Sequence, residues 1–301
     1  MHKIVEIMRF RLIAILAAIL LSSVVYAQRK RAFLVGISHY DTALTGYQWN
    51  DINGVEDVNL LFPILKKQGF TLITLLDEQA TFDNITRQLS LFVDKTKKGD
   101  IVYLHFSTHG QPVEDLNGDE KDDGWDESIV PVDAYKKYRK GTYEGKKHLI
   151  DDQLNQYVKR LREMIGNTGF LYVVIDACHA GTSSRGNDDV VRGTSVGFTF
   201  NNKVFKPTSI KKAHYIINET INASAKQAKV MFLEACRPDQ INSEIKIGNK
   251  QYGPLSYHIA QALSSYKLTT NADEFLKHVK ESILKEGLWP NNQNMVTETS
   301  Y

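Results

Sequence analysis

Phe170-Leu-Tyr-Val-Val-Ile175, followed at once by Asp176-Ala-Cys178-His179-Ala-Gly181, is the stretch that decides how this chain is built. An unbroken apolar run rich in β-branched and aromatic residues reads as a strand buried on both faces. The small and polar residues after it mark the strand's carboxyl end. A second run, Ile101-Val-Tyr-Leu-His-Phe106, ends the same way, in Ser107-Thr-His109-Gly110. Strands buried on both faces belong to parallel sheets, and parallel neighbours bring their carboxyl ends to one edge. Cys178 and His109 would then meet there, which is how a thiol acquires a base without being its neighbour in sequence.

Outward from these runs, strand and helix patterns alternate. Arg31-Ala-Phe-Leu-Val-Gly-Ile37 and Phe70 to Leu76 read as strands, with a helix from Gly54 to Lys67 between them. In that helix Val55, Val58, Leu61, Ile64 and Leu65 share one face. Thr81 is a natural N-cap for a helix through Ile85, Leu89 and Phe92. Another helix begins near Asp151, with Leu154, Val158, Leu161 and Ile165 inward. Lys229-Val-Met-Phe-Leu233 is a fifth strand, Leu255 to Tyr266 and Ala272 to Leu284 are late helices, and Met295 to Glu298 is a sixth strand placed at an edge. Repeated β-α-β units predict an α/β fold, a mainly parallel sheet with helices on both faces. Ligands on such sheets bind beyond the carboxyl ends of the strands. Two long stretches, Gln111 to His148 and Gly181 to Ala228, read as irregular loops, of a length that is usually functional or mobile.

The chain has 301 residues. Residues 1–27 read as an export signal: Lys3, Arg9 and Arg11 precede a short apolar core from Leu12 to Val25, and Val25-Tyr-Ala27 before Gln28 fits a small-residue cleavage site. The core is short for a membrane span, so the expected product is an exported protein, periplasmic or secreted, without a stable span. Residues 28–301 form the expected catalytic domain. Removing 1–27 takes 3 basic residues and 1 acidic residue from totals of 37 and 35, leaving 34 of each. A neutral chain offers no electrostatic case for nucleic acid. Only 2 cysteines are present, Cys178 and Cys236, too few for a disulfide scaffold and in no zinc-ligand spacing.

A thiol attacks as its thiolate. His109 is placed to take the proton of Cys178 and to pass it to a leaving amine. The backbone N–H groups of Gly110 and Cys178 are candidate donors to a developing oxyanion. His179 would point away from Cys178, since adjacent strand residues face opposite sides. His105, mid-strand, reads as a satisfied core histidine.

Taken together, Ser107-Thr-His109-Gly110 and Asp176-Ala-Cys178-His179-Ala-Gly181 resemble the paired motifs of metacaspases and related caspase-like cysteine peptidases. Other stretches agree in order: Gly54-Val-Glu-Asp57-Val58, Asp115 through Glu127, Pro131-Val-Asp133, Ile150-Asp-Asp152, Glu234-Ala-Cys236-Arg-Pro-Asp-Gln240 and Gly253-Pro-Leu-Ser256. The likeness runs from Lys30 to the C-terminus. It implies a caspase-like three-layer sandwich with a six-stranded sheet. It also implies an endopeptidase working through an acyl-enzyme on Cys178 with His109, and no cofactor for the chemistry. Asp57, Asp176 and Ser107 match the family's acidic pocket, which implies cleavage of peptide or protein substrates after Arg or Lys. Asp126, Asp151 and Asp152 match three calcium-binding carboxylates of calcium-dependent members. The fourth has no clear counterpart: Arg185 falls near its place, with Asp188 and Asp189 following. Thr108 stands where the family usually has Gly, and Ala180 where Ser is common. Lys136, Arg139, Lys140, Arg185 and Arg192 are candidate self-processing sites in the long loops. Two other readings stay open: a catalytically silent binding module of the same fold, and a protein locked by a Cys178–Cys236 disulfide.

Overall fold

The computed structural model describes residues 28–40, 49–118, 120, 124–178, 190–201, 218–221 and 224–300. The apolar runs pair as their patterning requires. Strands β1 (Lys30–Gly36), β2 (Phe70–Leu76), β3 (Ile101–Ser107), β7 (Phe170–Asp176) and β9 (Lys229–Glu234) lie parallel. Their sheet has the order β2-β1-β3-β7-β9-β12-β8, where β8 is Asn218–Ile221 and β12 is Val296–Ser300. The six expected strands are all there, and β8 adds a short seventh. Strand β12 runs antiparallel to β9 and is not at the edge expected of it, because β8 pairs along its other side.

Helices cover both faces. On one side α2 (Phe82–Asp94) and α3 (Asp151–Ile165) bury Ile85, Leu89, Phe92, Leu154, Val158 and Leu161 against Phe33, Val102, Leu104 and Val173. On the other, α1 (Gly54–Lys67), α4 (Pro254–Ser265) and α5 (Ala272–Glu286) pack Val58, Leu61, Leu255, Ile259 and Phe275 on Leu34, Tyr103 and Tyr172. Successive strand residues face opposite layers, so each central strand feeds both cores. Thr81 caps α2 as expected, its hydroxyl accepting from the Asn84 N–H at 3.3 Å.

The register sets the site. Ser107 on β3 pairs with Gly36 on β1 and with Asp176 on β7. Three strands therefore end on one line, with His109 and Cys178 each two residues beyond it.

The stretch from Gln111 to His148 is not irregular throughout. Strands β4 (His109–Glu114), β5 (Trp125–Val130) and β6 (Leu149–Ile150) form a separate antiparallel sheet. Its pattern is masked because Gln111 and Ser128, polar residues, are buried beside Val113 and Val130. The Ser128 hydroxyl donates to Gln111 O at 2.7 Å, which lets both sit in a dry interior. Strands β10 (Ile245–Ile247) and β11 (Lys250–Tyr252) form a hairpin. Among the described residues no helix is long and apolar enough to cross a membrane. The proposed signal, residues 1–27, lies outside them.

Candidate active site

His109 opens β4 two residues after the strand-end residue Ser107. Its ring packs 4.9 Å from both Trp49 and Tyr40, centroid to centroid. Its Nε2 lies 2.8 Å from the Asn50 carbonyl oxygen. A carbonyl only accepts, so Nε2 carries the proton and Nδ1 is the free base. Nδ1 is buried without a hydrogen-bond partner. Burial pulls the imidazole down to about 4 despite the Asn50 bond, so it is neutral at neutral pH, with the Nδ1 lone pair available. The backbone is fixed as well, with the His109 N–H donating to the Tyr40 hydroxyl at 2.8 Å.

Cys178 sits just past β7 and is buried. Its thiol donates to the Gln240 carbonyl oxygen at 2.7 Å. Cys236 Sγ lies 3.8 Å from that same oxygen. Neither cysteine is in a disulfide, and the bond to Cys178 together with burial pushes the Cys236 thiol well up, which keeps it protonated.

The three residues expected to form an acidic pocket converge, and an arginine lies among them. The Arg192 side chain lies wholly buried among Asp57, Ser107, Asp176 and Glu244. Its Nη1 donates to Asp57 Oδ2 at 2.6 Å and to Ser107 Oγ at 2.6 Å. Nε and Nη2 both reach Glu244 Oε1, at 3.0 and 2.8 Å. Asp176 Oδ1 is 3.8 Å from Nη1. That carboxylate is held by the Asn242 amide at 2.7 Å and by Ser256 through its N–H at 2.8 Å and hydroxyl at 2.6 Å. Burial draws the Arg192 guanidinium down, and Asp57, Glu244 and Asp176 more than reverse it, so the group is held charged. Burial pushes the Asp57 carboxyl up to about 7, against the pull of Arg192.

The main chain completes the arrangement. The carbonyl oxygen of Arg192 accepts from Gly110 N at 3.1 Å and from Cys178 N at 3.0 Å. These are the two expected oxyanion donors, and both are aimed at one peptide carbonyl.

All of Cys178, His109, Gly110, Asp57, Asp176 and Ser107 thus gather at one sheet edge. His105 is the core residue it was read as, bonded to Tyr103 Oη and Ser256 Oγ at 3.1 Å each. Glu244, Asn242 and Asn50 were not read from the sequence. Glu244 lies in an aperiodic bend just before β10, and Asn50 acts through its backbone, which no residue type announces. Asp126 lies in β5, and Asp151 and Asp152 open α3. Asp152 accepts from the Asn117 amide at 2.5 Å. Among the described residues no three His, Cys, Asp or Glu gather as a metal-holding set, so Asp126, Asp151 and Asp152 do not close a calcium site by themselves. Residues 179–189, with His179, Arg185, Asp188 and Asp189, lie outside the described residues.

The family profile described as "Caspase domain" matches residues 29–299. Metacaspase-1 of Pyricularia oryzae is 26% identical over 282 residues, covering 80% of this chain and 65% of the relative. Metacaspase-2 of Arabidopsis thaliana is 32% identical over 165 residues, 51% of this chain and 35% of the relative. The chain therefore spans less than two thirds of the length of these curated relatives. A solved protein from Geobacter sulfurreducens superposes with a TM-score of 0.59 at 20% identity, over 90% of this chain and 93% of that one. At that identity the likeness speaks for the fold.

Proposed function

Because the chain belongs to the caspase-domain family of cysteine peptidases, we propose that it is an endopeptidase that cuts on the carboxyl side of arginine, and less readily of lysine. One observation carries this reading: an arginine already lies in the pocket with its own carbonyl oxygen between the Gly110 and Cys178 N–H groups. The pocket's chemistry is that of a guanidinium receptor. Asp57 and Glu244 approach from two directions, and Glu244 takes two N–H bonds at once. A lysine ammonium is a point charge and cannot use that fork.

In the proposed reaction Nδ1 of His109 takes the Cys178 proton as Sγ attacks the carbonyl carbon. The oxyanion gathers on the two N–H donors. His109 then protonates the leaving amine, and water, deprotonated by the same nitrogen, hydrolyses the thioester. No metal enters these steps. The calcium role proposed for Asp126, Asp151 and Asp152 would be one of holding the fold near β5 and α3. Export is proposed on the basic start, apolar core and Val25-Tyr-Ala27 of residues 1–27.

The test uses purified, reduced protein on fluorogenic peptides ending in Arg, Lys or Asp, beside Cys178→Ala. Arginine should be preferred to lysine by roughly tenfold, Asp peptides should be left whole, and Cys178→Ala should be silent. Parallel assays with calcium and with chelator read the metal proposal, and an N-terminus at Gln28 in protein recovered outside the cytoplasm reads export. Hydrolysis after Asp, or hydrolysis that survives Cys178→Ala, would sink the reading.

A further inference from the structure

We infer that Trp49, with Tyr40 beside it, stabilises the imidazolium that forms when His109 takes the Cys178 proton, the part that a buried carboxylate plays in a Ser-His-Asp triad. The inference rests on the thiol chemistry proposed above and assigns it two positioning residues that act through His109.

What surrounds the ring creates the need. Burial disfavours a proton on His109 most, the Asn50 carbonyl favours one, Lys136 and Arg192 oppose it, and Asp51 favours it. Asp51 is exposed and already paired with His39 at 2.8 Å, so water screens its help. In a Ser-His-Asp triad the second ring nitrogen donates to a carboxylate, which stabilises the ring once it is charged. Here that nitrogen, Nε2, donates to the Asn50 carbonyl oxygen at 2.8 Å. A peptide carbonyl fixes the tautomer, but it brings a dipole where a carboxylate brings a full charge.

The aromatic rings supply the rest. The centroids of His109, Trp49 and Tyr40 form a triangle with sides of 4.9, 4.9 and 5.9 Å. Trp49 stacks on the imidazole at 28° and Tyr40 is tilted to it at 49°. A cation within about 6 Å of an aromatic centroid is attracted by the ring face, most of all for Trp and where water is excluded. Both rings are buried. Both are also fixed before any charge appears: the indole Nε1 donates to Ala134 O at 2.9 Å and the Tyr40 hydroxyl to Val130 O at 3.0 Å. The faces therefore need no reorganisation when the charge develops. Lys136 Nζ lies 5.1 Å from the Trp49 centroid, so the same indole already partners a cation at rest. The step itself moves one proton. The Cys178 S–H bond breaks as Sγ bonds to the substrate carbonyl carbon, Nδ1 gains the proton, and the leaving amine takes it from Nδ1 as the C–N bond breaks. The ring is charged only between these transfers, so a face that favours the cation raises kcat without tightening substrate binding.

Protein carrying mono-, di- and trifluorotryptophan in place of tryptophan tests this, because each fluorine weakens the negative ring face and barely changes its bulk. Arginine-peptide hydrolysis by the reduced protein is followed beside Trp49→Phe and Trp49→Leu. Tyr40 is left intact, since its hydroxyl also accepts the His109 N–H at 2.8 Å. The expected fall in kcat is about twofold per fluorine, with KM unchanged. Trp49→Phe keeps a weaker face and should lose about threefold; Trp49→Leu keeps none and should lose roughly 30-fold. The chain holds 3 tryptophans, so fluorinated Trp49→Phe is the control and should match its unlabelled form. Should Trp49→Leu fail to fold, the fluorine series and that control decide. A kcat indifferent to fluorine, an equal fall in fluorinated Trp49→Phe, or a change confined to KM overturns the inference and leaves the arginine-directed reading standing. No hydrolysis by unlabelled, reduced, folded protein overturns that reading and this inference with it.

Discussion

Asp57 has to be a carboxylate in a place that disfavours one. It is wholly buried, and burial pushes it up to about 7 while Arg192 and the Ser107 hydroxyl pull against that. Its grip on a guanidinium is full only when it is ionised, so binding of arginine weakens as pH falls through that value. His109, drawn down to about 4, is already neutral there and adds no limb of its own. The expectation is that kcat/KM on arginine peptides rises with pH as Asp57 ionises. Asp57→Asn should flatten that limb and cost on the order of 10- to 100-fold, the worth of one charge-assisted hydrogen bond. A limb that persists unchanged in Asp57→Asn would assign it to another group. Of the pocket, Asp57, Asp176 and Ser107 were legible because they stand at strand ends or on a first helical turn beside recognisable motifs. Glu244 was not, since a carboxylate in a bend carries no periodicity. Arg192 could be read only as one basic residue among several in long loops, because the contact that singles it out spans 135 residues to Asp57.

At the scale of elements, the site depends on how closely α1 is seated on the strand ends. A Cβ at Gly54 would lie 2.2 Å from Ser107 O and 2.6 Å from Ile37 O. The bare backbone lets the helix start against β3, which puts Asp57 one turn later within 2.6 Å of Ser107 Oγ. Gly54→Ala gains up to about 1 kcal/mol of helix propensity. It must also push two backbone carbonyls aside, which costs about 1–3 kcal/mol, so the clash wins. The expected result is a lower denaturation midpoint and a fall in kcat/KM on arginine peptides as Asp57 is displaced. An unchanged kcat/KM in a destabilised Gly54→Ala protein would show that the helix start does not position the pocket. The elements themselves separate into those the sequence announces and those it hides. The five parallel strands and their helices were legible because each buries one kind of face over many residues. The sheet of β4, β5 and β6 was hidden because its interior takes polar side chains, Gln111 and His148 among them. The Gln111 Oε1 atom and His148 Nε2 are 2.9 Å apart, and the Tyr143 hydroxyl lies 3.0 Å from His148 Nδ1. A network that satisfies itself internally reads, residue by residue, like a polar loop.

That same network bears on the molecule as a whole. Burial draws four buried histidines down, three of them far: His105 and His109 to about 4 and His148 to about 3, with His258 moved the same way. Unfolded, each takes a proton near the ordinary value of 6.5. Each therefore contributes stability that is complete above 6.5 and is lost as pH falls toward its folded value, at about 1.4 kcal/mol per pH unit. Asp57 works in the opposite sense. Its folded value lies above its unfolded 3.8, so it favours the fold increasingly as pH falls from about 7. One carboxyl against three imidazoles leaves a net loss of about 3 kcal/mol per pH unit near pH 5. A domain of ordinary stability holds about 5–15 kcal/mol in total, so unfolding in the range from pH 6 down to about 4 is expected. Urea unfolding at a series of pH values measures the slope directly. His148→Gln keeps a neutral polar side chain between Tyr143 and Gln111, far in sequence from Cys178, and should reduce the slope by about 1.4 kcal/mol per pH unit. If the slope is the same in His148→Gln as in the wild type, His148 is not among the groups that take up protons on unfolding, and the acid limit of this fold must come from its carboxylates instead.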